Sequence, residues 1–281
     1  MKILLVEPSN FFARELYYRL TALGHEVKIA TNDLQTMNKI IPGPKHIVWF
    51  FHHQLNPYYL RDINVVISFL GCFDNVVLKE NKEEKLRYQA MGLKNLIKSI
   101  SSDAPFRKQK ITFIQNSSIL YFDGRDGLSF EDSSPGTSRI SLYYQELERM
   151  ALSVKKDVEK LVIGRTGYIV SEDNPYFDFL EKKFLRWNLK FQNDTVYYSV
   201  ARESSLLDFY LDAIKNRHIQ GTYNLVEKQI LVESFLEELS AKTHKKTTLI
   251  PRWLLSKFVS QEVKNYLNHS LKVASNRYQI R

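Results

Sequence analysis

The chain has 281 residues, 44% hydrophobic and 25% charged, enough to bury one large domain or one domain with a smaller appendage. No apolar run approaches the roughly 18 residues of a membrane span, and the short ILLV run after Lys2 is too brief for the apolar core of a signal peptide. The lone Cys72 excludes an intramolecular disulfide and a cysteine zinc cluster, which makes the cytoplasm the expected compartment.

In chain order, residues 2–6 read as a buried strand and 10–23 as a helix with Phe12, Leu16, Leu20 and Leu23 on one face, closed by Gly24. HEVKIAT is a second strand. HIVWFF (46–51) and INVVISFLG (63–71) are continuous apolar runs of the kind that parallel strands covered on both faces require. Lys79 to Ser101 is a long charged helix and KITFIQNSS (110–118) the next strand. Ser138 to Val154 is a helix with Leu142, Leu147, Met150, Ala151 and Val154 inward, and KLVIGRTGYIV (160–170) is another strand. Helices follow near 176–187, 203–216 and 230–242, with a short strand at GTYNLV and a basic helix after Pro251. The alternation predicts an α/β fold, a Rossmann-like, doubly wound parallel sheet through about residue 170. No interdomain linker is visible, so any second domain is interleaved with the first.

The net charge of +9 is concentrated at the end, where Lys242 to Arg281 hold six Lys and three Arg against Glu262 alone. Such a stretch suits an acidic protein, RNA or an anionic surface, or is simply a solvated helix face. Its charges are spread out, and the nearby aromatics Trp253, Phe258, Tyr266 and Tyr278 are spaced for packing rather than for stacking bases.

The first strand-turn-helix is where a dinucleotide-binding chain keeps a glycine-rich turn. Here the turn holds Glu7, Pro8, Ser9 and Asn10, with no glycine. Four stretches in order, KILLVEPSNFFARELYYRLTALGHEVKIAT, INVVISFLG, FEDSSPG and VIGRTGYIV, resemble the extended short-chain dehydrogenase/reductase superfamily. The nearest subgroup is the atypical NAD-dependent epimerase/dehydratase-like proteins labelled cell-division-inhibitor-like. The subgroup's "EDSPPG" loop, its helix ending in "WE" and its "RTG" strand match Glu131-Asp132-Ser133-Ser134-Pro135-Gly136, Leu147-Glu148 and Arg165-Thr166-Gly167. GTYNLVEKQILVESFLEEL is similar to its Gly-x-x-Asn strand and following helix. The resemblance implies an NAD(P)-binding-type domain over 1–170 and a smaller α/β substrate-type domain over 171–281 that carries the basic region.

Against that pattern, the glycines of Gly-x-x-Gly-x-x-Gly fall on Glu7, Asn10 and Ala13. Ala13 suits close helix–strand packing, and Asn10 can cap the helix. Glu7 is expected under the pyrophosphate. Two unit charges ~4 Å apart at an effective dielectric of ~20 repel by about 4 kcal/mol, near a thousandfold in affinity. Pro8 also brings no N–H to the phosphate cradle. At the end of the second strand, Thr31 and Asn32 stand where an acid would meet the ribose of NAD or a base the phosphate of NADP, and Asp33 reads as a loop cap. The family's Asn-x-Ala-Gly becomes Ser68-Phe69-Leu70-Gly71, in which Gly71 survives and Leu70 is expected to crowd the cofactor's path.

The superfamily's chemistry implies a Ser or Thr with a Tyr-x-x-x-Lys pair. Registering the helix on Glu148 puts the Tyr on Ile140 and the Lys on Tyr144. Frames begun at Tyr143 or Tyr144 meet Leu147 or Glu148 instead. A tyrosine of pKa ~10 is a poor base at neutral pH without a cation beside it. Ser117 matches the substrate-facing serine or satisfies local backbone. Candidate catalytic residues are thus Ser117, Tyr143 and Tyr144, and candidate cofactor contacts are Glu7, Ser9, Asn10, Phe11, Asn32, Ser68, Gly71 and Ser117. The "W-I-H-x-x-D" segment, near Tyr198 to Glu203, lacks both His and Asp, and the glycine-rich loop before it has become LRWNLKFQND.

No metal site is expected. His52 and His53 point to opposite faces of an extended chain, and His244 and His269 sit among lysines. No phosphate-loop or Gly-x-Ser-x-Gly motif occurs. Cys72 reads as a small buried residue. With three cofactor contacts altered together, the sequence favours a degenerate, non-catalytic protein. It would act in binding or scaffolding, with no NAD(P) or a weakly held one in the crevice at the strand ends. The alternative is an active atypical oxidoreductase or epimerase with a remodelled turn.

Overall fold

Apolar runs such as KILLV and VVIS leave no polar face, and in the computed structural model they become central strands of a sheet covered on both sides. The structure describes residues 1–43, 46–71, 82–124, 127–170, 189–191, 196–232, 234, 248–250 and 270–280. The large sheet is built from β1 (Lys2–Val6), β2 (Glu26–Thr31), β3 (His46–Val48), β4 (Val65–Ser68), β5 (Thr112–Ser118), β7 (Lys160–Thr166) and β11 (Gly221–Leu225). Its order is β11-β7-β5-β4-β1-β2-β3, with every pairing parallel. Beside it lie β8 (Tyr168–Val170), β10 (Tyr197–Arg202) and β12 (Lys228–Leu231) in a second sheet. Two strand pairs complete the set, β6 (Leu128–Ser129) with β14 (Lys272–Val273), and β9 (Leu189–Phe191) with β13 (Thr248–Ile250).

Two apolar layers hold helices against the large sheet. On one face Ile3, Leu5 and Ile67 meet α1 (Phe11–Ala22) and α5 (Glu203–Lys215) through Phe12, Leu16, Leu206 and Phe209. On the other, Leu4, Val66 and Phe113 meet α3 (Lys82–Asp103) and α4 (Arg139–Ser153) through Leu93, Leu96, Leu147 and Ala151. The short α2 (Leu34–Ile40) follows β2 and buries Met37. The doubly wound α/β architecture expected from the alternation is the one observed.

Several local expectations change. Leu23 is exposed because α1 closes on it, with Gly24 in the left-handed region (φ 77°) just beyond. Leu142 is also exposed, facing away from the α4 stripe that buries Tyr144, Leu147 and Ala151. HIVWFF is a strand only over 46–48. The run 160–170 breaks at Gly167, whose N–H donates to the Leu225 carbonyl (3.1 Å) and where a β-carbon would stand 2.7 Å from the Ser199 carbonyl oxygen. There the chain leaves the large sheet for the second one. It returns after residue 170 to supply α5 and β11, so the large sheet draws on residues well beyond that expected boundary. The helices expected near 176–187, over most of 230–242 and after Pro251 lie outside the described residues, as does most of the basic stretch 242–281.

Candidate functional site

The strand order reverses between β1 and β4, and the crevice beyond their C-terminal ends is where open α/β sheets bind ligands. Glu7 stands at this point. It is the only non-glycine with positive φ (52°) among the described residues, so the turn keeps the backbone shape a glycine would give it. Left-handed backbone in an ordinary residue costs about 1–2 kcal/mol. The acid expected on the floor of the turn is instead held at the end of β2. Glu7 Oε2 accepts from the Thr31 hydroxyl (3.1 Å) and the Asn32 N–H (3.3 Å), and the residue is buried.

The rest of the turn is also engaged. The Glu7 N–H donates to the Ala30 carbonyl and the Ser9 N–H to the Glu7 carbonyl, both at 2.8 Å. Asn10 caps α1, its Oδ1 accepting from the Ala13 N–H at 2.6 Å. This leaves the N–H groups of Asn10, Phe11 and Phe12 without an acceptor among the described residues at the start of a twelve-residue helix, an arrangement that favours an anion. Asp33 caps α2 through the N–H (3.0 Å) and hydroxyl (2.6 Å) of Thr36, as its loop-cap reading required.

At the end of β4, Ser68 is fully buried and its hydroxyl accepts from the Leu70 N–H (3.3 Å). Leu70 does not crowd the crevice, because its side chain is fully buried in the layer under α3 and α4. Gly71 (φ 86°) donates its N–H to Gln89 Oε1 (3.2 Å). A β-carbon there would strike the Leu147 side chain and come within 3.1 Å of the Tyr143 hydroxyl.

Ser117, at the end of β5, donates to Glu148 Oε1 at 2.7 Å. The same carboxylate takes a two-pronged bond from Arg165, Nε to Oε1 and Nη2 to Oε2, each 2.8 Å, with both side chains only 5% exposed. Arg165 also donates to the Glu131 carbonyl (3.1 Å), and its guanidinium lies 3.5 Å from the Tyr121 ring centre. Tyr144 is buried in the core, Tyr143 is partly buried beside it, and Ile140 packs on the same layer. The structure therefore gathers Glu7, Ser9, Asn10, Phe11 and Asn32 around one turn. Ser117 sits apart, in the Glu148–Arg165 cluster.

Sequence reasoning missed Glu131 as a fastening point. Its carboxylate accepts from the Asn224 N–H (2.9 Å), the Asn276 N–H (3.1 Å) and the Ser275 hydroxyl, tying β11 and the chain after β14 to the loop.

Among the described residues no group of three metal-ligating side chains occurs and no helix is long and apolar enough to cross a membrane. Cys72, His244 and His269 lie outside the described residues. A cavity of about 300 Å³ opens at the opposite, N-terminal edge of the sheet between Asn64, Lys110, Lys160 and Arg217. Lys160 there donates to the carbonyls of Ala213 and Asn216 at the end of α5, which accounts for its position.

Burial pushes the Glu7 carboxyl up from the 4.5 of a solvated glutamate, against the pull of the Asn32 N–H and the Thr31 hydroxyl; Asp33 adds to the push and Lys85 opposes it. The folded chain thus holds this proton to higher pH than the unfolded one. Stability falls as pH rises from about 4.5 through the raised folded value, and the loss is complete above that value. Glu7→Gln is therefore expected to melt higher than the wild type at neutral pH. The gap should close as the pH is brought down to 4.5, read by thermal denaturation across that range.

No protein-family model and no curated sequence matches the chain. Solved structures match it throughout. Human epimerase family protein SDR39U1, solved with NADPH, superposes with a TM-score of 0.73 at 15% identity over 97% of this chain and 90% of that one. MoeE5 with UDP-glucuronic acid and NAD gives 0.77 at 15% identity over 100% and 94%. The UDP-glucuronic acid 4-epimerase of Bacillus cereus, with UDP-glucuronic acid and NAD, gives 0.74 at 16% identity over 98% and 90%. The chain shares the fold of these proteins.

Proposed function

We propose that this chain is a cytoplasmic, non-catalytic binding protein on an NAD-dependent epimerase/dehydratase-type fold, whose switch-point crevice holds a dinucleotide weakly. The observation that carries the reading is the buried Glu148–Arg165 pair. It supports the motif register in which Ile140 and Tyr144 take the places of the acid/base tyrosine and its lysine. Neither isoleucine nor a tyrosine packed in the core supplies a mobile proton next to a cation. Ser117, bonded to Glu148, is committed to that pair.

The residues present fit a dinucleotide in part. A nicotinamide cofactor would supply hydride chemistry when bound. This chain's contribution is the three N–H groups of Asn10, Phe11 and Phe12 for a diphosphate; Pro8 has no N–H, and the Ser9 N–H is taken by the Glu7 carbonyl. One observation favours the active alternative: the Glu7 carboxylate is drawn aside to Thr31 and Asn32, so the repulsion expected from it beneath a diphosphate is reduced.

The test is product formation. Purified protein is incubated with NAD or NADP and with UDP-glucose or UDP-glucuronic acid, ligands named for the structural neighbours. Nicotinamide absorbance and sugar-nucleotide chromatography provide the readout. No turnover above buffer is expected. Turnover that Tyr143→Phe abolishes would overturn the reading and assign the acid/base role to Tyr143.

A further inference from the structure

In nucleotide-binding sheets of this kind the acid that holds the adenosine ribose stands at the end of the second strand. In this chain that strand ends in Thr31 and Asn32, and the nearest acid in sequence, Asp33, is spent on capping α2. A carboxylate is nevertheless present there, and it comes from the neighbouring strand. Glu7 follows β1 and hands its side chain across to the Asn32 N–H and Thr31 hydroxyl. Both of those bonds end on Oε2; Oε1 accepts none from the protein and is not closed off from solvent. A strained left-handed backbone at a buried acid persists only where its surroundings over-determine it, and such strain gathers at ligand sites.

We propose that Glu7 is the ribose-recognition residue of the crevice, and that it selects a dinucleotide with a free 2′-hydroxyl over one that carries a 2′-phosphate. The inference rests on the reading above that the crevice takes a dinucleotide. Ribose hydroxyls donate to Oε1 while Oε2 stays anchored on β2, so the carboxylate is positioned before the ligand arrives. A 2′-phosphate would set a second anion against the same oxygen, with Asp33, just past β2, adding to the repulsion and Lys85 partly offsetting it. The turn thus loses a glycine and gains the acid that β2 lacks.

Titration of the full chain with NADH and with NADPH, followed by fluorescence and calorimetry, tests this directly. NADH is expected to bind about tenfold or more tighter than NADPH. Glu7→Gln, which retains an acceptor for the Asn32 N–H but no charge, should bring the two affinities within about threefold. Asp33→Asn should move the ratio less than Glu7→Gln does. Each variant is first checked for a cooperative melting transition. A wild-type ratio near one or favouring NADPH would overturn the proposal, as would a ratio that Glu7→Gln leaves unchanged or that Asp33→Asn moves more. Failure of a folded wild type to bind either dinucleotide would overturn it together with the reading that the crevice takes a dinucleotide, while leaving the non-catalytic assignment intact. Turnover with a strong NADH preference would do the reverse.

Discussion

Arg165→Ala is expected to lower the unfolding free energy by about 3–5 kcal/mol, the range found when one partner is taken from a buried ion pair. The Glu148 carboxylate would remain inside the protein with only the Ser117 hydroxyl to satisfy it, and the Glu131 carbonyl and Tyr121 ring would lose their contacts as well. Urea denaturation of the variant and the wild type measures the difference. The double replacement Arg165→Met with Glu148→Leu removes both charges and keeps most of the volume. It should lose less than Arg165→Ala alone, since well-packed apolar residues often replace a buried pair without net loss. If the single change costs under about 1 kcal/mol, the pair does not anchor the buried cluster.

Glu131→Ala should be the next most damaging, at about 3 kcal/mol, because hydrogen bonds to a charged group contribute about 1.5–3 kcal/mol each and do not add fully. The carboxylate gathers donors from Asn224, Ser275 and Asn276, so the damage should be localised. Hydrogen exchange is expected to accelerate at Asn224 and along 270–280 before the large sheet opens. The neighbouring Arg277–Asp132 pair is exposed and cannot hold the segment alone. Uniform acceleration across the sheet would show that Glu131 is part of the global core instead.

The layers were legible because the physics that writes them is local. KILLV and INVVISFLG are apolar on both faces and had to be strands covered twice, and the α4 stripe of Leu147 and Ala151 had only one way to face. Helix capping by Asn10 and Asp33 could likewise be read from side chains that bond their own backbone. The site was harder. That Glu7 turns toward β2 depends on Thr31 and Asn32, more than twenty residues away, and no periodicity reports a pairing of that kind. Leu70 looked obstructive because its position next to Gly71 was visible while the face it takes was not. The break at Gly167 was hidden for the same reason: the approach of the Ser199 carbonyl is a tertiary fact.

The seat of β7 has a consequence for how the protein is made. All seven residues of that strand are buried, with β5 on one side and β11 on the other, yet β11 begins only at Gly221. At ~5–20 residues per second a ribosome needs roughly 3–11 s to pass from the end of one to the start of the other. Through that interval the nascent chain carries a strand with an open row of backbone donors and acceptors, the template on which strands from other molecules pair. The order in which the strands are written therefore makes synthesis, more than the finished state, the moment at which this protein is most exposed to self-association.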